Sequence, residues 1–246
     1  MAEHREEMIL GGIRGFRGGP RRGELPHHGR QVFRTRVQGS PQGVARQLGL
    51  QLVAYPGAKL VDIAESRLLA AYPALTSSAA QIAGPQIRNM GTLGGSLCQR
   101  NRCWYFRDEH VNCLLKGGRK CYAQEGENQY HAIFTQGHPC VIVHPSTLAP
   151  PLIAFNAVAE IVGPKGKREV AVEKLYHAPA NETEREHTLA PNEILVAVKF
   201  GSSAPQFARF MNASYEVKQK EASDWPLVQA SVAFHHEQGS KLAKGV

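Results

Sequence analysis

The sequence contains no CxxC or CxxH pair, no run approaching 18 consecutive apolar residues, and no lysine before Lys59. Zinc knuckles take two ligands from one tight turn, so the first absence removes the strongest sign of a structural zinc site. The second excludes a membrane span. The N-terminal MAEHREEMILGGIRG lacks the apolar core of a secretory signal, so a cytoplasmic location is expected, or a periplasmic one by co-export with a partner. The lysine-free opening is nonetheless basic: residues 1–50 hold nine arginines against four glutamates, and only Phe16 and Phe33 are aromatic. Such a segment could attract phosphates or nucleic acid. With ten glycines and no apolar period it reads better as a disordered arm.

All five cysteines fall within residues 98–140, spaced Cys98-x4-Cys103-x9-Cys113-x7-Cys121-x18-Cys140. An odd count without a secretory signal points to metal binding or catalysis rather than to a disulfide framework. Four thiolates from separated loops suit an iron–sulfur cubane. A zinc site and a set of unrelated buried cysteines remain open. Arg100, Arg102, Arg107, Lys116, Arg119 and Lys120 are placed to offset thiolate charge, and Gly117-Gly118 to let the backbone turn closely. Cys98, directly after a glycine turn, is expected to be a small core residue. Cys103, Cys113, Cys121 and Cys140 are then the ligand set. His131, His138 and His144 nearby are read as structural.

Around this region the pattern is α+β with short strands. Strands are expected at Leu50–Tyr55, Val141–His144, Ala159–Val162, Arg168–Val172, Ile194–Phe200, Phe207–Tyr215 and Leu227–His235. Asp62 is expected to cap a short helix, and two more helices to meet at Tyr72-Pro73. Residues Leu148–Ala157 and Ala171–His177 are helix candidates. Gln86–Leu97 reads as a glycine-punctuated loop and Gln238–Ser240 as a turn. Thr92-Leu93-Gly94-Gly95-Ser96 is a turn whose amides could approach a phosphate or a flavin ring. Most such strings are ordinary turns.

Together, PQIRNMGTLGGSLCQRNRCWYFR, CLLKGG, GENQYHAIF and HPSTLAP resemble the FAD-binding medium subunit of the xanthine dehydrogenase (molybdenum hydroxylase) family. The nearer branch is the aldehyde oxidoreductase and hydroxybenzoyl-CoA reductase type, whose medium subunit carries an extra [4Fe-4S] cluster. The resemblance runs from about Ala58 to Ala243. It implies cluster thiolates at Cys103, Cys113, Cys121 and Cys140. It implies flavin contacts at Thr92, Gly94, Gly95 and Ser96, then at Ser146 and Thr147. The segment with Glu193 and Leu195 would pack on the flavin. Ser96 stands where the family has Asn, and Thr147 where it has Asp. The family's first glycine loop has no counterpart, Ile9–Arg14 being the nearest string.

The resemblance implies an FAD-binding (PCMH-type) domain over residues 48–205 with an iron–sulfur loop inserted at 98–140. An atypical arm, residues 1–47, precedes it, and a truncated C-terminal domain like that of the carbon monoxide dehydrogenase flavoprotein follows at 206–246. The expected function is electron transfer. FAD and the cluster would lie between a molybdopterin-binding large subunit with a [2Fe-2S] small subunit and an external acceptor. The small-molecule substrate would bind to the partner, and neither nucleic acid nor a catalytic residue is expected here. The alternatives are a zinc-stabilised basic nucleic-acid-binding protein and a degenerate fragment that binds no cofactor.

Overall fold

A computed structural model describes residues 45–48, 51–135, 137–200, 210–220, 224–236 and 243–245. The expected N-terminal arm lies outside these residues except for its last three, which are strand rather than loop. The turn at Gln238–Ser240 also lies outside them.

Five antiparallel strands form the main sheet in the order β1-β2-β5-β3-β4. These are β1 (Ala45–Leu48), β2 (Gln51–Ala54), β3 (Val158–Gly163), β4 (Gly166–Ala171) and β5 (Ile194–Phe200). Strands β3 and β4 are a hairpin closed at Pro164-Lys165, with Gly163 paired to Gly166. Alternation along β3 sends Ala159 and Ile161 into the core. Its other face carries Glu160, bridged to Lys167 and Lys199 at 2.7 Å each.

The helices are short: α1 (Leu60–Glu65), α2 (Pro73–Gln81), α3 (Pro85–Met90), α4 (Leu93–Leu97), α5 (Trp104–Arg107) and α6 (Ala149–Ala154). Leu60, Ile63, Leu75, Leu93, Leu97 and Leu152 from four of them join Ile161, Val198 and Phe200 in one buried cluster. Tyr72 wedges edge-on between Phe155 and Phe200, with ring centroids 5.2 and 5.1 Å away. Pro73 opens α2 because its fixed φ suits a first helical position. Asp62 does not cap α1. Lys59 precedes that helix, and Asp62 sits in its first turn, where a carboxylate still favours the dipole.

Two further expectations are corrected. Gln86–Leu97 is not a loop but α3 and α4, because Pro85 starts one helix and the Thr92 hydroxyl caps the other. Val141–His144 forms no strand. Only Val141 finds a backbone partner there, accepting from the Ala132 N–H at 2.9 Å.

Strands β6 (Phe210–Lys218), β7 (Pro226–His236) and β8 (Ala243–Gly245) make a second antiparallel sheet. Polar side chains dock it on the helices. Asn212 accepts from the Ala74 N–H at 2.9 Å and donates to Ala71 O at 3.0 Å. Gln229 Nε2 donates to Thr147 O at 2.9 Å. No helix among the described residues is long and apolar enough to cross a membrane.

Candidate cofactor sites

Cys103, Cys113, Cys121 and Cys140 line one cavity, together with Tyr105, Phe106, Leu114, Leu115, Tyr122 and Ile142. The space between these side chains, its open mouth included, is about 250 Å³. Short helical turns build three of the corners. Cys103 immediately precedes α5, Cys113 precedes the 3₁₀ turn Leu114–Lys116, and Cys121 precedes the 3₁₀ turn Tyr122–Gln124. A residue at that position faces the free amides of the turn it starts. Accordingly the N–H groups of Phe106 and Tyr105 point at the Cys103 sulfur, and that of Ile142 at the Cys140 sulfur. Hydrogen bonds to sulfur of this kind tune iron–sulfur centres.

The chain between the corners is tightly tied. Gly118 N–H donates to Cys113 O at 2.9 Å and Leu114 N–H to Lys120 O at 3.0 Å. A Cβ on Gly118 would meet Asn112 O at 1.9 Å, so only glycine fits. Cys140 N–H donates to His138 Nδ1 at 3.2 Å.

Burial pushes the Cys140 thiol up to about 12, with Cys121, Cys103 and Cys113 adding to the rise and the Ile142 N–H opposing it. Burial likewise raises Cys103, opposed by the two amides above. All five cysteines are free. Cys98 lies apart, half-buried against the main core, as its place after the glycine turn suggested.

Among the described residues no three His, Cys, Asp or Glu side chains converge as they would around a single metal ion. A zinc ion draws its ligands to one point. In a four-iron cluster each thiolate holds its own iron at a separate corner, so the ligands ring a volume instead. Four thiols around one apolar cavity fit the second arrangement.

Two of the cations expected to face the thiols are engaged elsewhere. Arg102 stacks on Trp225 at 4.2 Å, and Arg100 reaches Glu186 as well as the Phe106 ring. No expectation from the sequence fell on Glu186. It is 2% exposed, and its Oε1 accepts from Asn101 Nδ2 at 2.7 Å and Asn101 N–H at 3.1 Å. Arg100 Nε stands 2.7 Å from Oε2 but off the hydrogen-bonding direction, so that contact is one of charge. Burial alone would raise the Glu186 carboxyl. The Asn101 bonds and Arg100 more than reverse this, leaving it below the ordinary value. No local signal marks this residue, since its partners lie 85 positions upstream.

The glycine turn sits at the start of α4. Its amides are spent internally: Leu93 on Ala58 O, Gly94 on Pro56 O, Gly95 on Thr92 Oγ1 and Ser96 on Thr92 O. Gly94 is glycine because Pro56 packs against it, with Pro56 Cβ 2.8 Å from where a Cβ would stand. The hydroxyls of Ser96 and Ser146 meet at 3.0 Å, both buried, beside buried Thr147. The Ser96 and Ser146 hydroxyls are thus spent on each other, and Gly95 presents an exposed edge rather than a nest of free amides. Leu195 is in the core. Glu193 is bound bidentately by Arg168 at 2.8 and 2.7 Å, which, with the Ala190 N–H, holds its carboxyl down at about 2. The structure brings the four thiols together and pairs Ser96 with Ser146, while Glu193 and Leu195 lie along the sheet.

Beyond the thiol cavity, Ile142, His144, Tyr176, His177 and Glu186 border a groove. The His144 and Tyr176 rings meet at 4.2 Å, and burial takes His144 down to about 4.

The chain is 35% identical over 137 residues to the aldehyde oxidoreductase FAD-binding subunit PaoB of Escherichia coli (strain K12), covering 55% of this chain and 43% of that protein. Its fold matches carbon monoxide dehydrogenase of Hydrogenophaga pseudoflava with a TM-score of 0.53 at 21% identity, over 80% of this chain and 51% of that one. Quinoline 2-oxidoreductase of Pseudomonas putida 86 matches with a TM-score of 0.51 at 16% identity, over 78% of this chain and 50% of that one. The chain thus spans about half the length of these relatives, or less. Residues 46–202 match the FAD binding domain in molybdopterin dehydrogenase, and with well over half of its length so covered, the chain belongs to that family.

Proposed function

We propose that this chain is an electron-transfer subunit of a molybdenum hydroxylase of the aldehyde, xanthine or aromatic-CoA oxidoreductase type, holding FAD and a [4Fe-4S] cluster. One observation carries the iron–sulfur half of the reading: Cys103, Cys113, Cys121 and Cys140, spread over 38 residues of sequence, line a single apolar cavity. FAD rests on the family and on the turn at Thr92, Gly94, Gly95 and Ser96 with Ser146 and Thr147 beside it. Glu193 and Leu195 brace the same domain. Bound, the two groups relay electrons from the reduced molybdenum site of a partner toward an acceptor. The chain itself binds and orients the cofactors, keeps water from the thiols and supplies N–H groups to their sulfurs. This reading asks no reacting acid, base or nucleophile of it.

The partners are a molybdopterin-binding large subunit and a [2Fe-2S] small subunit. Exposed apolar side chains on the cysteine loop support a partner there, Phe134 being 91% and Ile133 82% exposed. The zinc and nucleic-acid alternative gains nothing, since the thiols ring a volume rather than a point.

The test is an anaerobic visible spectrum of the purified chain with iron, zinc and released flavin quantified. A broad band near 400 nm with about four irons per chain is the expected cluster signature, with flavin absorbance superposed. Stoichiometric zinc without iron would overturn the redox reading. A colourless, metal-free protein would leave only the fragment that binds no cofactor.

A further inference from the structure

We propose that Glu186 is the positioning residue for the Cys103 corner of the cysteine cavity, acting through Asn101. This rests on the cluster reading above. Glu186 stands in the loop that leads from the turn Val172–Leu175 to β5, remote in sequence from every cysteine. Its buried carboxylate nevertheless anchors the segment that delivers the first thiol. Oε1 takes both N–H groups of Asn101, and Oε2 faces Arg100. Asn101, 1% exposed, then turns its own Oδ1 to accept the Cys103 N–H at 3.1 Å. One side-chain amide is thereby bonded at both ends, to the carboxylate and to the cysteine backbone. That fixes the point at which α5 begins, and with it the amides of Tyr105 and Phe106 that face the Cys103 sulfur.

A carboxylate is the group this position needs. It accepts two N–H donors on one oxygen and presents charge to a guanidinium with the other. Partners that orient ligands in this way typically alter metal retention by about ten- to a hundredfold when removed.

Two variants test the relay in the full chain. Glu186→Gln keeps the volume and an acceptor oxygen but removes the charge toward Arg100. Asn101→Ala leaves the Glu186–Arg100 pair and removes only the relay. Leu152→Ala, in the main core away from the loop, serves as a control for general destabilisation. In metal-free protein, iodoacetamide labelling followed by peptide mass spectrometry should show Cys103 reacting faster in both variants, with Cys140 unchanged. In iron-loaded protein, release to a chelator should be about tenfold faster or more in both variants. Ferricyanide takes one electron from a [4Fe-4S]²⁺ cluster, and loss of one Fe²⁺ from the oxidised cluster leaves [3Fe-4S]⁺, whose paramagnetic signal should grow faster as well. Wild-type rates of labelling and release in both variants would overturn the proposal. So would equally fast release from Leu152→Ala at matched loss of stability. Wild-type protein that takes up no iron would overturn the cluster reading, while the labelling would still decide whether Glu186 positions Cys103.

Discussion

Replacing Gly118 with alanine tests whether the cysteine loop is held as tightly as its backbone implies. The added Cβ would stand 1.9 Å from Asn112 O, 2.7 Å from Asn112 C and 2.9 Å from Cys113 C, where real Cβ contacts stay above 3.0 Å. All three neighbours are backbone, so no side-chain rotation relieves the clash. The strand of chain carrying Cys113 must move by more than 1 Å, breaking the Gly118 N–H bond to Cys113 O. Overpacking costs about 1–3 kcal/mol, and rigid neighbours put this case near 3. The loop's open state would then be about a hundredfold more populated. Hydrogen exchange by mass spectrometry across residues 112–121 should accelerate by about that factor, and iron retention should fall with it. Gly57→Ala, whose Cβ would meet nothing within 4 Å, is the control and should change neither. Native exchange in Gly118→Ala would refute the account of the loop.

Cys98→Ser should keep the iron content of the parent, while serine at Cys103, Cys113, Cys121 or Cys140 should lower it, as metal analysis of the purified variants would show. Asn212→Ala should lower stability by about 1–2 kcal/mol, because Asn212 caps α2 where Tyr72 supplies no side-chain cap. The check is a lower urea midpoint at unchanged slope. His144 titrates at about 4 in the fold against an ordinary 6.5, so the unfolded chain takes up its proton first as pH falls. Stability should therefore drop between pH 6.5 and 4, by up to about 3 kcal/mol from this group, and His144→Leu should remove that part of the slope in acid denaturation. Glu193 works at lower pH, its pairing with Arg168 being fully present above the ordinary carboxylate range and lost as pH falls toward about 2. Glu193→Gln should flatten the stability profile there.

The sequence by itself determined the α+β class, the helix break at Tyr72-Pro73, the strands β3 and β4, and the separation of Cys98 from the other four cysteines. These follow from local rules: strand alternation, proline's fixed φ, glycine turns, and ligand type with spacing. Tertiary structure decided what depends on distant neighbours. Val141–His144 has a strand's composition, yet no strand runs beside it to complete a ladder. The glycine turn suggested amides free for a ligand, but Pro56 and Ala58 reach them first. The partner of Glu193, Arg168, is 25 residues away in sequence and meets it only across the folded sheet. Asn212 and Glu186 carry no local mark at all, since a cap or an anchor supplied from another element exists only once both elements are in place.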